Sequence, residues 1–336
     1  MPPVSTTFPP AKPERIYQNH HLDSTRWRYF EHRAGDIVIS TSYKAGTTWM
    51  QTIVANLLHP EGIPMPATQL APWLDSRLIP LEVVLNFLGS QETRRCIKSH
   101  LPLDGLPYYR DAQYVVVGRD ARDVFMSLLN HWGNHTQQFH GFVDSIPRRV
   151  GDPFPVYDGD VAARWKDWMT RGWFEWESDG YPYWSHLHHC KTWWDACQLP
   201  NVYLVHYNDL LADLEGEMRS IAAWLGTEVP AARWPHVVDA CRFETVKRDP
   251  EKVVGDMSWG FQGGAQSFIH KGTNGRWRDV LTDADLALYE EAVKRTLAPD
   301  CARWLEQGKA AAHCAPRSSG TTRSSRISAL GCESRA

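Results

Sequence analysis

The stretch DIVISTSYKAGTTWMQTIVANLL, residues 36–58, decides the fold. Asp36 to Ser40 is a short, continuously apolar run of the kind that a parallel strand makes when helices cover both its faces. Six residues later the pattern changes period: Trp49, Ile53 and Leu57, with Met50, Val54 and Leu58, recur at helical spacing. Between the two lies a short polar loop, so the segment reads strand, loop, helix, the arrangement that holds a nucleotide phosphate at a helix N-terminus.

Further apolar runs occur at Cys96 to Lys98, Tyr114 to Val117 and Val202 to Val205, separated by helical stretches around 123–131, 187–197 and 211–225, the last ending at Gly226. Alternation of buried strands with helices predicts a doubly wound α/β fold, three layers deep, on a central parallel sheet. The Pro-, Ser- and Thr-rich residues 1–20 and the small, polar residues 309–336 are expected to form loose arms, leaving one domain over 21–308.

The chain has 336 residues, 43% of them hydrophobic, and a formal charge of −3 with no basic block, which argues against a nucleic-acid backbone as partner. The first residues lack the features of a signal peptide, and no apolar run approaches a membrane span, so a cytoplasmic location is expected. The seven cysteines are odd in number and contain no C-x-x-C pair, which predicts free thiols.

Four constellations carry chemistry. In Ser42–Trp49, Lys44 supplies a charge, Gly46 admits an anion close to the backbone, and Thr47 and Thr48 offer donors at the helix start. A Walker A loop is excluded, because there the lysine follows the glycine. Taken alone, the loop fits a surface turn as well as an anion site. Arg119, at the end of the YVVV run, and Ser127, two helical turns on, can converge on a second anion, whereas Arg122 and Asp123 read as a solvated helix start. Lys98 and His100, two apart on an extended segment, can face one centre, where a neutral imidazole can take a proton. Phe268–Trp277 adds His270, Lys271 and Gly272.

Together these stretches resemble the cytosolic-type sulfotransferase family that uses 3′-phosphoadenosine 5′-phosphosulfate (PAPS). Its phosphosulfate loop, [TS]-x-P-K-[SA]-G-T-T-W, is matched from Lys44 through Ala45, Gly46, Thr47 and Thr48 to Trp49, with Tyr43 replacing proline. Its R-x-x-[KR]-D-x-x-x-S motif is matched by Arg119, Arg122, Asp123 and Ser127, and its K-[TS]-H-[LFY]-P motif by Lys98–Pro102. In R-K-G-x-x-G-x-W, His270 stands where arginine is usual, which removes one permanent charge.

The resemblance implies a fold related to the P-loop kinases, PAPS as co-substrate and no metal. It makes His100 the general base, Lys44 the cation at the leaving phosphate and Lys98 the group that steadies the sulfonate. It also assigns Trp49, Tyr207 and Phe243 to the adenine, although the family's T-S-F triplet here reads Cys241-Arg242-Phe243. A small, largely apolar acceptor is expected. The animal dimer segment, K-x-x-x-T-V-x-x-x-E, is not kept at 278–287, so the oligomeric state stays open.

Two other functions fit parts of this pattern: an ATP-dependent small-molecule kinase and a non-catalytic binder of adenosine 3′,5′-bisphosphate (PAP). His186 and Cys190, one helical turn apart, could share a zinc ion, but no third ligand stands at a matching spacing. His189 is expected to line the acceptor pocket. Of the sixteen tryptophans, most are expected in the core and some in the pocket wall.

Overall fold

The computed structural model describes residues 12–308. Four strands form one parallel sheet in the order β2-β1-β3-β4: β1 (Ile37–Thr41), β2 (Cys96–Ser99), β3 (Gln113–Gly118) and β4 (Val202–His206). Helix α1 (Thr47–Leu58) leaves the first loop, α2 (Ala121–Gly133) follows β3, α3 (His186–Asp195) precedes β4, and α4 (Leu214–Leu225) and α5 (Pro299–Gln307) complete the covering layers.

Alternate strand residues face two separate cores. Ile37, Ile39, Val115 and Val117 pack with Met50, Ile53 and Leu57 of α1 and Ile221 of α4. Val38, Tyr114 and Val116 pack with Phe125 of α2, Trp193 of α3 and Trp304 of α5. Both faces of the sheet are therefore apolar, which is why the strands read as unbroken hydrophobic runs.

The helix expected at 211–225 starts earlier and breaks. One turn covers Tyr207–Ala212, then Asp213 turns extended and its carboxylate accepts the Gly216 N–H at 2.9 Å, starting α4 afresh. Gly226 caps α4 with φ 67°, as its position suggested. The expected domain boundary at residue 20 falls inside the packed body. Tyr17 and His20 are buried, and Glu14 and Arg15 donate backbone N–H groups to the Asp104 carbonyl. Residues 1–11 of the expected arm and the tail at 309–336 lie outside the described residues. Cys96, Cys190, Cys241 and Cys301 are free and buried, while Cys197 is disulfide-bonded, against the expectation of free thiols. Among the described residues no helix is long and apolar enough to cross a membrane.

β3 ends at Gly118, against which the Trp304 indole lies flush: a Cβ there would sit 2.3 Å from Cη2. Gly118→Ala is expected to lower stability by about 1–3 kcal/mol through overpacking. Guanidinium unfolding of both proteins checks this, and unchanged stability would show that Trp304 yields freely.

Candidate active site

Parallel register brings all four strand ends to one edge. Ser40 pairs with Ser99, Thr41 with Val117 and Gly118 with His206, so the residues that follow emerge side by side. β1 leads to β2 on one side, and β3 to β4 on the other, making the gap between β1 and β3 the topological switch point. A cavity of about 330 Å³ opens there. Lys44, Gly46, Thr47, Thr48, Trp49, Lys98, His100, Arg119, Ser127, Tyr207, Phe243, His270, Lys271 and Gly272 all line it. Ala45 is the exception among the expected residues: its side chain is fully buried behind the loop.

The first loop turns through Lys44 at φ 61° and Gly46 at φ 123°. A Cβ on Gly46 would meet Tyr207 at 3.1 Å, so glycine serves both the turn and the close approach. Lys44 Nζ sits 4.7 Å from the Phe268 ring centre, and Lys98 Nζ lies 3.9 Å over Trp73. Burial, with Arg119 and Lys98 nearby, pushes the Lys44 ammonium down to about 7, and burial pushes Lys98 down to about 8.

Arg119 knits the switch point together. Its guanidinium donates to the Lys44 carbonyl at 3.1 Å, to Asn274 Oδ1 at 2.7 and 3.0 Å and to the Thr273 carbonyl at 3.3 Å, and lies 4.0 Å over the Tyr207 ring. Arg122 and Asp123 are not the solvated helix start that the sequence suggested. Asp123 is buried and accepts the Gly275 N–H at 2.6 Å, fixing the 272–275 loop over α2. Arg122 binds Asp120 at 2.6 Å and stacks on Trp277 and Tyr289.

His100 is buried with Nδ1 2.7 Å from the Thr41 carbonyl. A carbonyl only accepts, so Nδ1 carries the proton and Nε2 keeps its lone pair. Burial, and then Lys98, hold the imidazole well below its usual range, hence neutral at pH 7. Tyr43 stacks on it at 4.3 Å and on Tyr183 at 3.9 Å.

At the other end Trp49 packs edge-on to Tyr207 at 5.2 Å and donates to the Cys241 carbonyl at 2.8 Å. Phe243 presses on Gly272, where a Cβ would fall 2.6 Å from its ring. Arg242 is exposed.

Four residues take roles that spacing did not give. His186 is no zinc ligand: Nε2 donates to the Arg119 carbonyl at 2.9 Å, leaving Nδ1 to accept from the Ser42 hydroxyl, so this neutral ring is a strut between the two loops. Burial pushes it down to about 4. Cys190 instead faces Cys301 at 3.6 Å. His189 does not line the cavity; it lies beneath, with Nε2 3.2 Å from Ser40 Oγ. Arg276, next to the expected segment's tryptophan, lines the cavity with Nε buried and without a hydrogen-bond partner among the described residues. Its signal was an arginine inside a glycine-rich loop already assigned to an anion. No three His, Cys, Asp or Glu side chains among the described residues group so as to hold a metal ion.

Residues 34–300 match the family model described as the sulfotransferase domain. A glycolipid sulfotransferase of Mycobacterium tuberculosis is 29% identical over 308 residues, covering 88% of this chain and 94% of the relative. A mouse protein named sulfotransferase 1B1 is 22% identical, covering 82% and 87%. Among solved structures, retinol dehydratase in complex with androsterone and inactive cofactor PAP is similar with a TM-score of 0.62 and 20% identity, over 83% of this chain and 87% of that one. A mouse sulfotransferase complexed with PAP gives 0.61 and 18% identity, over 84% and 92%.

Proposed function

This chain belongs to the sulfotransferase family and transfers a sulfonate group, and from that premise we propose that it moves the group from PAPS to a hydroxyl of a small, largely apolar acceptor, with His100 as general base. The observation that carries this reading is the convergence of Lys44, Lys98, His100 and Arg119 on one cavity, with His100 held as the Nδ1–H tautomer.

The cavity suits such a donor at both its anionic ends. Lys44 and the Thr47 and Thr48 donors, at the positive end of α1, face one phosphate. Arg119, Ser127, Lys271 and the unpartnered Nε of Arg276 surround the other, and Arg276 replaces the charge that His270 lacks. Trp49, Tyr207 and Phe243 supply aromatic surface for adenine.

In the reaction the acceptor oxygen attacks sulfur and gives its proton to His100 Nε2. The new O–S bond forms as the bond from sulfur to the bridging phosphate oxygen breaks. Lys44 neutralises the charge that grows on that oxygen, Lys98 steadies the sulfonate oxygens, and the proton leaves His100 to solvent as PAP departs.

Turnover with PAPS and with ATP, each measured with magnesium and again with a chelator, tests the reading directly. PAPS turnover that survives chelation supports it, whereas ATP turnover alone indicates a kinase, and PAP binding with no transfer to any acceptor indicates a binder. His100→Ala is expected to lower kcat by about 10²–10⁴-fold, with PAP affinity little changed; a fully active variant would remove His100 from the chemistry. PAP binding should also take up a proton. Lys44, at about 7 when free, is largely neutral at pH 8 and is recharged by the anion. Calorimetry at pH 8 in buffers of different ionisation enthalpy reads this uptake. It should shrink in Lys44→Met, and equal uptake in both proteins would sink the assignment.

A further inference from the structure

Beyond the reacting centre the cavity continues into an aromatic chamber whose wall includes Tyr43, Phe139, Phe154, Tyr183, Phe261 and Phe268. Among the histidines that interrupt this apolar lining, two are neighbours. His131 lies in the last turn of α2, and His135 follows one helical turn later, their ring centres 4.7 Å apart.

His135 is held rigidly. Its ring stacks on Phe139 at 4.1 Å and meets Phe261 at 5.1 Å, while its backbone bridges to Phe261 and its neighbours bond to Gly260 and Gln262. Only 6% of it is exposed, yet neither ring nitrogen has a hydrogen-bond partner among the described residues. Nδ1 of His131 is buried and equally unpartnered. His21, also in the wall, differs: Nδ1 meets the His20 ring at 2.5 Å and Nε2 meets the Tyr43 hydroxyl at 3.2 Å. Among the histidines of this wall, the buried nitrogens without a partner among the described residues are those of His131 and His135, while Arg276 Nε, in the same cavity, is an unpartnered donor only.

Leaving buried donors and acceptors unmatched is unfavourable, and here they face a cavity that must receive an acceptor. We propose that His131 and His135 form a subsite for a second, uncharged hydroxyl, so that the preferred acceptor is a diol on an apolar scaffold. The inference rests on the sulfotransferase reading given above.

The chemistry of the pair selects the group. A neutral imidazole offers one N–H donor and one lone pair, which a hydroxyl, itself donor and acceptor, satisfies at once. An ammonium has only donors, and it would enter a chamber already holding Lys44 and Lys98. A carboxylate has only lone pairs: it can take the N–H of a neutral ring but leaves that ring's own lone pair unmet unless the ring is charged, which this site opposes, since burial pushes His135 down to about 3 and burial with Lys44 holds His131 well below its usual range. The wall aromatics then cover the scaffold between the two hydroxyls.

The test compares matched acceptors on three scaffolds with PAPS as donor: 4,4′-dihydroxybiphenyl against 4-hydroxybiphenyl, oestradiol against its 17-deoxy analogue, and decane-1,10-diol against decan-1-ol. On at least one scaffold the diol should exceed its partner in kcat/KM by about tenfold or more, beyond the twofold statistical advantage of two equivalent hydroxyls. His135→Phe, which keeps the stack on Phe139, should bring that ratio near two or below while leaving the monohydroxy acceptor turned over. His131→Phe gives a second reading should the first variant fold poorly. Ratios near two on every scaffold, a ratio untouched by either substitution, or a 4′-carboxylate that outruns the diol would each overturn the proposal. If no acceptor is sulfonated although PAP binds, the reading of the previous section fails instead. The same ratios taken as Kd values on the PAP-loaded protein then decide the subsite by itself.

Discussion

The site depends on one constraint, the parallel register that brings four strand ends to the same edge of the sheet. Lys44, His100, Arg119 and Tyr207 are far from adjacent in the chain; His100, Arg119 and Tyr207 each follow directly on a strand, and Lys44 lies in the loop just beyond β1. Because both faces of the sheet are buried, a slip of one residue would turn every apolar side chain towards the wrong core. Two well-packed cores therefore fix the height of each loop, and with it the placement of Lys44 relative to His100. Gly118 shows how little slack remains, since the residue before Arg119 has no room for a methyl group.

On that frame the charged groups are held by neighbours that do not react. Arg119 spends most of its donors on the Lys44 carbonyl, Thr273 and Asn274, and so joins the loops after β1 and β3 to the segment that closes over them. His186 ties the Arg119 backbone to Ser42 from beneath. The result is a set of positive groups brought together at a cost: burial lowers both Lys44 and Lys98, and repulsion from Arg119 and Lys98 lowers Lys44 further. A polyanionic ligand would relieve that repulsion and raise the Lys44 ammonium back towards its usual range. Burial, and then the cation of Lys98 beside it, keeps His100 neutral.

Much of this was legible in the sequence, for physical reasons that differ by element. The strands stood out because burial on both faces erases polar alternation, and α1 because its apolar stripe follows directly on the polar loop. That Lys98, His100, Arg119 and Tyr207 meet at one cavity was legible because each sits at or just beyond a strand end, where a short motif has a fixed address. What was hidden needed tertiary contact. Asp123 looked like a solvated helix start, since nothing local shows that it reaches Gly275 more than a hundred positions away. His186 invited a metal reading at helical spacing, and only the fold reveals that its two nitrogens point at different loops. Composition put Tyr17 and His20 in an arm, but their partners, Asp104 and Trp173 among them, lie far along the chain.

The departure at Tyr43 carries the most structural consequence. A proline would stiffen the loop through its own backbone, whereas Tyr43 anchors it through packing, stacked on both His100 and Tyr183 and bonded through its hydroxyl to His21. The neighbouring Lys44 holds a left-handed backbone, a conformation that costs energy for a non-glycine residue and persists only where surrounding contacts impose it. The Tyr43 stack is such a contact. It makes the loop after β1, His100 and the aromatic chamber one packed unit, so a ligand pressing on Tyr183 would act on the same ring that packs against His100. Stiffness supplied from the acceptor side links what the chamber admits to how the loop stands, a coupling that proline at this position does not provide.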